Sequence, residues 1–300
     1  MHLFKRKRKT RQIGFDCHTT GIVSEYLYLS FCRMQTYKNK IFLNHVMGNS
    51  VRELSQRKSV KQKSLKSMPN KRKGLLIVIE GTDGSGKATQ VDLLFKCLKK
   101  EKTPCATFSF PDYTSKAGKT IASYLRGDHG SLQQIDPYFF ASLYADDRKA
   151  KQNAISQALQ QGKIVILDRY VSSNFYQMAK LPSGQSQKEF RDWLFDLEYC
   201  TNHLPTEDLV IFLSMPPTIS STLLRSRKPK FDQGKMKKDI HEQNKSYMQK
   251  VFATFQKEAK ENPIWHIITC TKQGRLLPPE HIHQEIYDVV SSKILKRKIG

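Results

Sequence analysis

Short apolar runs alternate with longer amphipathic stretches from residue 74 to the end of the chain. The apolar runs have the length of buried strands, and the longer stretches carry apolar residues three and four positions apart, as helices do. Predicted strands lie at 75–80, 105–110, 163–168, 208–215 and 265–269. Predicted helices lie at 86–100, 116–126, 137–161, 186–200, 240–261 and 280–296, with a further helix opening at Pro216 and Pro217.

This alternation of strands and helices predicts an α/β fold. Strands that are joined through helices run parallel, so we expect a five-stranded parallel sheet with helices on both faces. Ligands bind such sheets at the carboxyl ends of the strands. The polar ends of three of the predicted strands are at 80–81, 109–113 and 168–169. We therefore expect these three segments to line one crevice.

A glycine-rich segment, GTDGSGKATQ at 81–90, follows the first predicted strand and opens a predicted helix. It matches the P-loop pattern G-x-x-x-x-G-K-[ST] at Gly81, Gly86 and Lys87, but the final position is Ala88. In a P-loop the backbone amides and the helix N-terminus bind phosphate oxygens, and the lysine contacts the β- and γ-phosphates. The predicted ATP-binding residues are Gly81, Thr82, Asp83, Gly84, Ser85, Gly86, Lys87, Ala88 and Thr89.

The alanine at position 88 changes the expected metal site, because it removes the hydroxyl that usually contacts Mg²⁺. Magnesium keeps several waters and needs only one or two protein oxygens, so a carboxylate elsewhere in the crevice can replace this hydroxyl. Asp83, inside the loop, is the nearest candidate. The alternative for Asp83 is a turn residue that accepts hydrogen bonds from loop amides.

Positive charge is concentrated at the start of the chain. The 300 residues carry a formal net charge of +24, and residues 1–73 hold 18 Lys and Arg against 3 Asp and Glu, a net +15. Three interpretations compete: contact with nucleic acid or a nuclear address, an organelle transit peptide, and an inert or artefactual extension of an enzyme that starts near Met68. We predict a boundary between this extension, 1–73, and a folded P-loop domain, 74–300.

Several classes of protein are disfavoured. No apolar run reaches the roughly 18 residues of a membrane span, so we expect no membrane segment. The six cysteines include no C-x-x-C pair, which gives no support to a zinc site or a redox dithiol and favours a reducing compartment. We expect a cytoplasmic protein, with a mitochondrial or nuclear location as the alternative if the basic N-terminus is a targeting segment.

Five segments together resemble the thymidylate kinases, a family of P-loop nucleoside-monophosphate kinases. They are IEGTDGSGKATQ at 79–90, FPDY at 110–113, LYADDR at 143–148, DRY at 168–170 and DIHE at 239–242. The resemblance spans roughly residues 74–295. It implies transfer of the γ-phosphoryl group of ATP to dTMP, with Mg²⁺, for dTTP biosynthesis in a homodimer.

The resemblance also implies roles at the acceptor site. Asp83 would meet the deoxyribose 3′-hydroxyl or the metal shell, and Phe110 and Tyr113 would lie at the sugar and phosphate of dTMP. Tyr144 would stack on thymine, and Arg148 would hydrogen-bond its carbonyl edge. By spacing alone the alternatives are a core aromatic for Tyr144 and a solvated helix-face charge for Arg148.

The DRY segment and the helix after it complete that site by resemblance. Arg169 would bridge the acceptor phosphate and the transferred group, and Asp168 would orient it. Asn174 and Gln177 would line the base pocket. The alternative for Arg169 is a structural ion pair with Asp168.

The resemblance implies a short basic lid as well. His241 and Glu242 would close over the sugar, and Glu242 would support Mg²⁺ or the 3′-hydroxyl. The P-loop has no basic residue between its glycines, which matches family members that carry the catalytic arginine in the lid. Arg225 and Arg227 are then the candidates. Lesser candidates are Lys228, Lys230 and Lys235.

Two other functions fit part of this pattern. One is phosphorylation of a different nucleoside or nucleoside monophosphate, because one fold hosts many functions. The other is an inactive P-loop protein that binds polyanions through its basic extension, and Ala88 is the feature that raises it.

Overall fold

A five-stranded parallel sheet forms the centre of the domain, as the sequence predicts. The computed structural model describes residues 73–131, 134–225 and 244–299. The strands are β1 Leu75–Glu80, β2 Cys105–Ser109, β3 Ile164–Asp168, β4 Leu209–Ser214 and β5 Trp265–Thr269. They lie in the order β2-β3-β1-β4-β5, and every pairing is parallel. The predicted fold class is therefore confirmed.

Eight α-helices connect and cover the strands in the described residues. They are α1 Lys87–Lys100, α2 Lys116–Leu125, α3 Pro137–Gln160, α4 Phe175–Met178, α5 Gln185–Phe195, α6 Pro217–Arg225, α7 Lys245–Glu261 and α8 Pro279–Ile299. A 3₁₀ turn, Val171–Asn174, leads into α4, and a π turn, Asp196–Thr201, extends α5. A small antiparallel hairpin, Thr271–Lys272 with Arg275–Leu276, was not predicted from the sequence pattern.

Side-chain caps fix where three of the helices begin. Asp136 accepts a hydrogen bond from the Phe139 amide at 2.9 Å, and Pro137 occupies the first helical position of α3. The Ser115 hydroxyl caps α2 by accepting from the Gly118 amide at 2.8 Å. The Asn244 side chain accepts from the Tyr247 amide at 3.0 Å, and α7 begins directly after it.

The two faces of the sheet are buried against different helices. On one face Leu76 and Val78 pack with apolar residues of α3 and α7. On the other face Ile77 and Ile79 pack with residues of α1 and α8. Successive residues of β1 therefore pack into two different cores, one on each face of the sheet. This explains why the whole strand is apolar up to Glu80. A smaller cluster, between α2 and the start of α3, lies outside the first core.

The predicted extension, 1–73, except for its last residue, and the predicted lid fall on residues outside the described ranges. Residues 1–72 and 226–243 belong to that part of the chain, so the interpretations of the basic extension and of the lid stay predictions. No helix in the described ranges combines the length and the apolar character that crossing a membrane requires.

A buried amine lies beside the small cluster. Lys180 Nζ is 5.6 Å from the centre of the Phe140 ring, and it has no hydrogen-bond partner among the described residues. Burial lowers the pKa of Lys180 to about 8, against the weak opposing effect of Asp136. The charged form of this amine therefore destabilises the folded domain.

We predict that this cost disappears at high pH. The folded pKa of Lys180 lies below the unfolded value, so above pH 8 the unfolded chain binds more protons and the free energy of unfolding rises as the pH approaches 10. Lys180→Met should remove that rise and should be the more stable protein at pH 7, by roughly 1–3 kcal/mol. Urea unfolding at pH 7 and pH 9.5 measures both effects.

Lys250→Met, at an exposed position on α7, is the matched control for this comparison. It should leave the pH dependence of the wild-type chain unchanged. An equal stability difference between wild type and Lys180→Met at both pH values would contradict the prediction.

Candidate active site

The candidate site lies where β1 and β3 end side by side. The register pairs Ile79 with Asp168, so the residues after these two strands emerge as neighbours. The Arg169 amide donates to the Ile79 carbonyl at 3.2 Å, and the Phe110 amide donates to the Asp168 carbonyl at 3.0 Å. The three polar strand ends that the sequence singled out therefore do meet at one edge of the sheet.

The glycine-rich segment forms a tight loop with open space at its helical end. Gly84 has φ +80°, and a Cβ built there would lie 2.5 Å from the Ser220 carbonyl oxygen, so α6 packs directly on the loop. Gly86 has φ +89°, and a Cβ there would meet nothing within 4 Å. Glycine is favoured at both positions by φ, and at Gly84 by packing as well. The open space at Gly86 leaves room for an anion at the start of α1.

The Lys87 side chain binds the carbonyl oxygens at the start of the loop. Its Nζ donates to the Gly81 and Thr82 carbonyl oxygens at 3.0 and 2.8 Å, and the side chain is buried. The buried hydroxyl oxygens of Thr82 and Ser85 have no hydrogen-bond partner among the described residues. Polar groups in this state are typical of a site that a polar ligand completes. Ala88 is exposed on the first turn of α1 and offers no oxygen.

Asp83 and Arg169 join the loop to the turn after β3. Arg169 Nη2 lies 2.6 Å from Asp83 Oδ1, in a partly buried ion pair. Arg169 itself has φ +69°, the left-handed region, so the turn holds a strained backbone at this residue. The alternative pairing of Arg169 with Asp168 is not the one in the structure. Asp83 and Arg169, two of the residues predicted to act in catalysis, are instead partners of each other.

Tyr176 is a third member of this contact, and sequence reasoning missed it. Its hydroxyl donates to Asp83 Oδ2 at 3.0 Å and accepts from the Asp83 amide at 2.9 Å. The Arg169 guanidinium lies 5.6 Å from the centre of its ring. Burial and the Asp83 carboxylate raise the pKa of Tyr176 well above its usual value, so the hydroxyl stays protonated and able to donate. The only sequence signal was its position on the helical segment after DRY.

The FPDY loop is held in place by α3. Asp147 accepts hydrogen bonds from the Asp112 amide at 2.9 Å and the Ser115 hydroxyl at 2.7 Å. Lys151 lies 2.9 Å from the Asp112 carboxylate, and hydrogen bonds from Thr114 and Lys151 lower the pKa of Asp112 to about 2. These contacts fix the loop without using its aromatic residues.

The two aromatic residues of that loop face different neighbours. Phe110 is buried, with its ring centre 6.1 Å from that of Tyr170, which follows Arg169. Tyr113 is partly buried against the small cluster, and so is Tyr144. The Tyr144 ring lies 5.2 Å from Phe140, edge to face. The structure therefore brings the two tyrosines to one cluster and leaves Phe110 beside the Asp-Arg turn.

Arg148 is fully buried, so the alternative of a solvated helix-face charge is wrong. Its Nε donates to Glu198 Oε1 at 2.9 Å, its Nη2 donates to the same oxygen, and its Nη1 donates to the Tyr170 carbonyl at 3.1 Å. Glu198 has no exposed surface either. Protein contacts therefore fix the guanidinium, and they use three of its five N–H groups. The partner, Glu198, was not predicted.

Asn174 and Gln177 are each only 1% exposed. Asn174 Nδ2, a donor, and Gln177 Oε1, an acceptor, have no hydrogen-bond partner among the described residues. Buried amides of folded proteins are normally satisfied, so this pair of atoms suits a ligand with its own donors and acceptors. Both residues belong to the turn and short helix that follow Arg169.

The remaining predicted residues lie at or beyond the edge of the described chain. Arg225 is the last residue of α6, and its side chain is outside the description. Arg227, His241 and Glu242 fall in 226–243, outside the described ranges, as do the three lysines named with the lid. Beside that gap Asp83, α6 and the start of α7 line a groove that includes Lys245.

The described residues form no group of three or more His, Cys, Asp or Glu side chains that could hold a metal ion by themselves. Both carboxylate oxygens of Asp83 already have protein partners, Arg169 and Tyr176. Metal binding by Asp83 would therefore exchange one of these contacts. This donor set fits Mg²⁺ bound chiefly through phosphate oxygens and waters, with one exchangeable carboxylate, and does not form a protein cage.

Comparison with known proteins gives one consistent result. The family model described as thymidylate kinase matches residues 79–273. A thymidylate kinase of Schizosaccharomyces pombe is 31% identical over 228 residues, which cover 75% of this chain and 95% of that protein. A thymidylate kinase of Mycobacterium tuberculosis strain H37Rv is 32% identical over 183 residues, covering 60% of this chain and 84% of that protein.

The fold agrees with a solved structure. The thymidylate kinase of Candida albicans superposes with a TM-score of 0.55 at 24% identity, covering 73% of this chain and 92% of that one. The family model spans the P-loop, the Asp-Arg turn, and Asn174 and Gln177, which are predicted to line the base pocket. With that match and the Schizosaccharomyces pombe relative, the chain belongs to the thymidylate kinase family.

Proposed function

We propose that this protein transfers the γ-phosphoryl group of ATP to the 5′-phosphate of dTMP. An oxygen of the acceptor phosphate bonds to the γ-phosphorus as the bond to the β-phosphate oxygen breaks, which gives dTDP and ADP. This reaction belongs to dTTP biosynthesis. Family membership supports the substrates, and the residues of the site support the chemistry.

The contact between Arg169 and Asp83 is the observation that carries the proposal. It attaches the cation of the acceptor side to the loop that would hold the donor phosphates, at 2.6 Å. Phosphoryl transfer passes through a loose transition state with charge spread over the equatorial oxygens, so positioning and charge stabilisation supply most of the catalysis. A fixed cation between two phosphate sites meets that requirement.

Each phosphate has its own proposed binding groups. The amides of 81–89 and Lys87 would hold ATP, and Lys87 would exchange its two carbonyl partners for phosphate oxygens. Arg169 would contact the acceptor phosphate and the transferred group, with Asp168 beside it at the strand end. Phe110 and Tyr113 would meet the sugar and phosphate of dTMP.

The base would be recognised by groups that are buried or partly buried in this structure. Tyr144 would stack on thymine, and Arg148, held by Glu198, would donate to a carbonyl oxygen of the base. Asn174 Nδ2 and Gln177 Oε1 would satisfy further polar atoms of the ligand. A donor and an acceptor with no protein partner suit a pyrimidine edge, which itself carries both.

Mg²⁺ is part of the proposal as the cation that neutralises phosphate charge when bound. Asp83 and, by resemblance, Glu242 are its proposed protein ligands, alongside phosphate oxygens and waters. By resemblance, His241 and Glu242 would close over the sugar, and a lid arginine would reach the transferred group. Closure of this kind excludes water from the reacting phosphates.

The partners and location follow from the family resemblance and the sequence. We propose a homodimer that acts on dTMP and ATP in the cytoplasm. A mitochondrial or nuclear location is the alternative if the basic residues 1–73 are a targeting segment. Nucleic-acid contact by this segment is not required for the reaction.

Turnover with a panel of acceptors tests the proposed function. We expect ADP formation from ATP and Mg²⁺ with dTMP, and much weaker formation with the other deoxynucleoside monophosphates. A chain that begins at Met68 should behave like the full chain, because the residues of the site all follow it. Selectivity for another acceptor would favour a different nucleotide kinase, and no turnover with any acceptor would favour the inactive polyanion-binding protein.

Removal of the bridging arginine should abolish most of the catalysis. We expect Arg169→Ala to lower kcat for dTMP about 10³-fold, since the transition-state charge loses its fixed cation. Arg126→Ala is the matched control, because Arg126 forms an exposed ion pair with Asp128 at 2.8 Å and such pairs contribute little. A kcat for Arg169→Ala within tenfold of wild type would contradict this role.

The resemblance to family members that carry the catalytic arginine in the lid predicts that one arginine outside the P-loop is essential. We expect either Arg225→Ala or Arg227→Ala to lower kcat about 10³-fold, and the other substitution to have a small effect. Steady-state kinetics of the two single variants identify which residue acts. Near wild-type kcat in both variants would show that the catalytic arginine lies elsewhere.

A further inference from the structure

Glu80 is a fully buried carboxylate at the entrance to the P-loop. It is the last residue of β1, directly before Gly81, and it is 0% exposed. Its Oε1 accepts hydrogen bonds from the Tyr170 amide at 3.1 Å, the Ser172 hydroxyl at 2.8 Å and the Ser173 hydroxyl at 2.9 Å. Its Oε2 accepts from the Ser173 hydroxyl at 3.0 Å.

All of these donors come from one short segment of the chain. Tyr170, Ser172 and Ser173 belong to the turn that follows β3 and leads into α4. They are about 90 residues from Glu80 in sequence. The carboxylate therefore attaches the whole turn to the end of β1, across the pairing of β1 with β3.

The turn needs such an attachment because of the residue at its start. Arg169 has φ +69°, an unfavourable conformation for a residue with a side chain. Strained backbone of this kind persists only where surrounding contacts hold it. The hydrogen bond from the Tyr170 amide to Glu80 fixes the peptide unit immediately after Arg169.

The charges around Glu80 are consistent with a role toward Arg169. Burial raises the pKa of Glu80, while the positive charges of Arg169 and Lys87 and the two serine hydroxyls act in the opposite direction. The two cations that face this carboxylate are the two that would contact the transferred phosphate. A buried carboxylate is costly unless donors and cations compensate it, and here they come from the site itself.

We propose that Glu80 is a positioning residue that locks the turn after β3 against β1, so that Arg169 meets Asp83 in the P-loop. The inference rests on the proposed function, in which Arg169 contacts the transferred group. Glu80 touches no substrate in this scheme and acts only through the turn. Its removal should therefore misplace Arg169 while leaving the phosphate-binding amides of the P-loop in place.

Glu80→Gln is the most informative substitution. Glutamine has nearly the same shape and can still accept from the Tyr170 amide through its oxygen. With that oxygen in the place of Oε1, the NH₂ group replaces Oε2 and cannot accept from the Ser173 hydroxyl. The glutamine side chain also carries no charge toward Arg169. We expect kcat for dTMP to fall roughly 10- to 100-fold, as for a catalytic group displaced by about 1 Å. The KM for ATP should change less than threefold.

Glu258→Gln is the matched control. Glu258 is also a buried carboxylate, 4% exposed, but it lies on α7 and pairs with Arg191 and Asn262. Its substitution should lower the thermal midpoint of unfolding and leave kcat of the folded enzyme unchanged. Equal losses of kcat in Glu80→Gln and Glu258→Gln would show a merely structural effect and overturn the proposal.

A second variant approaches the same contact from the other side. Ser172→Ala with Ser173→Ala removes two donors to Glu80 and should lower kcat in the same direction as Glu80→Gln. The triple variant should lose little beyond the larger of the two effects, because groups that act through one contact are non-additive. Multiplicative losses in the triple variant would contradict action through the turn.

A crystal structure of Glu80→Gln separates this inference from the proposed function. The inference predicts that Arg169 Nη2 and Asp83 Oδ1 move apart from the 2.6 Å of the wild-type chain. Retention of that contact overturns the inference, whatever the activity. Absence of turnover in the wild type would instead overturn the proposed function, and the crystallographic comparison would still decide the role of Glu80.

Discussion

The ion pair between Asp83 and Arg169 joins two loops that come from strands far apart in sequence, and it depends on the pairing of β1 with β3. That pairing sets Ile79 opposite Asp168, so the P-loop and the Asp-Arg turn leave the sheet side by side. The side chains of Asp83, in the phosphate-binding segment, and Arg169, on the acceptor side, are then close enough to form the ion pair. The Tyr176 hydroxyl also donates a hydrogen bond to Asp83, but the strand pairing is what brings Asp83 and Arg169 together.

Buried charge around the site is compensated by hydrogen bonds from neighbouring elements. Arg148 is satisfied by Glu198 and the Tyr170 carbonyl, and Glu80 by the turn that begins at Tyr170. Both networks meet at the same residue, directly after Arg169. Removal of one partner from such a pair leaves an uncompensated buried charge, which is far more costly than the pair is stabilising. The networks therefore attach the turn to Glu80 at the end of β1 and to Arg148 on α3.

Some of the buried polar atoms that have no hydrogen-bond partner among the described residues lie at the proposed substrate sites. Thr82, Ser85, Asn174 and Gln177 each bury a polar atom without a hydrogen-bond partner among the described residues. Two lie in the P-loop and two in the segment after Arg169, on the proposed donor and acceptor sides. Since folded proteins satisfy nearly all buried polar atoms, these four suit groups that a ligand supplies.

The sequence by itself determined the periodic elements and the P-loop. The bounds of β1 and β5 agree with their apolar runs, and α1 agrees to within one residue, because strand and helix periods are local properties of the chain. The five motifs, through their resemblance to a family, also led to the candidate residues. Tertiary structure decided the order of the strands, the burial of Arg148 on Glu198, and the partners of Arg169 and Glu80. The contacts of Arg148 with Glu198, of Arg169 with Asp83 and of Glu80 with Ser172 join residues 50, 86 and 92 positions apart. No local pattern encodes them, and only the packed sheet brings their atoms within hydrogen-bond distance.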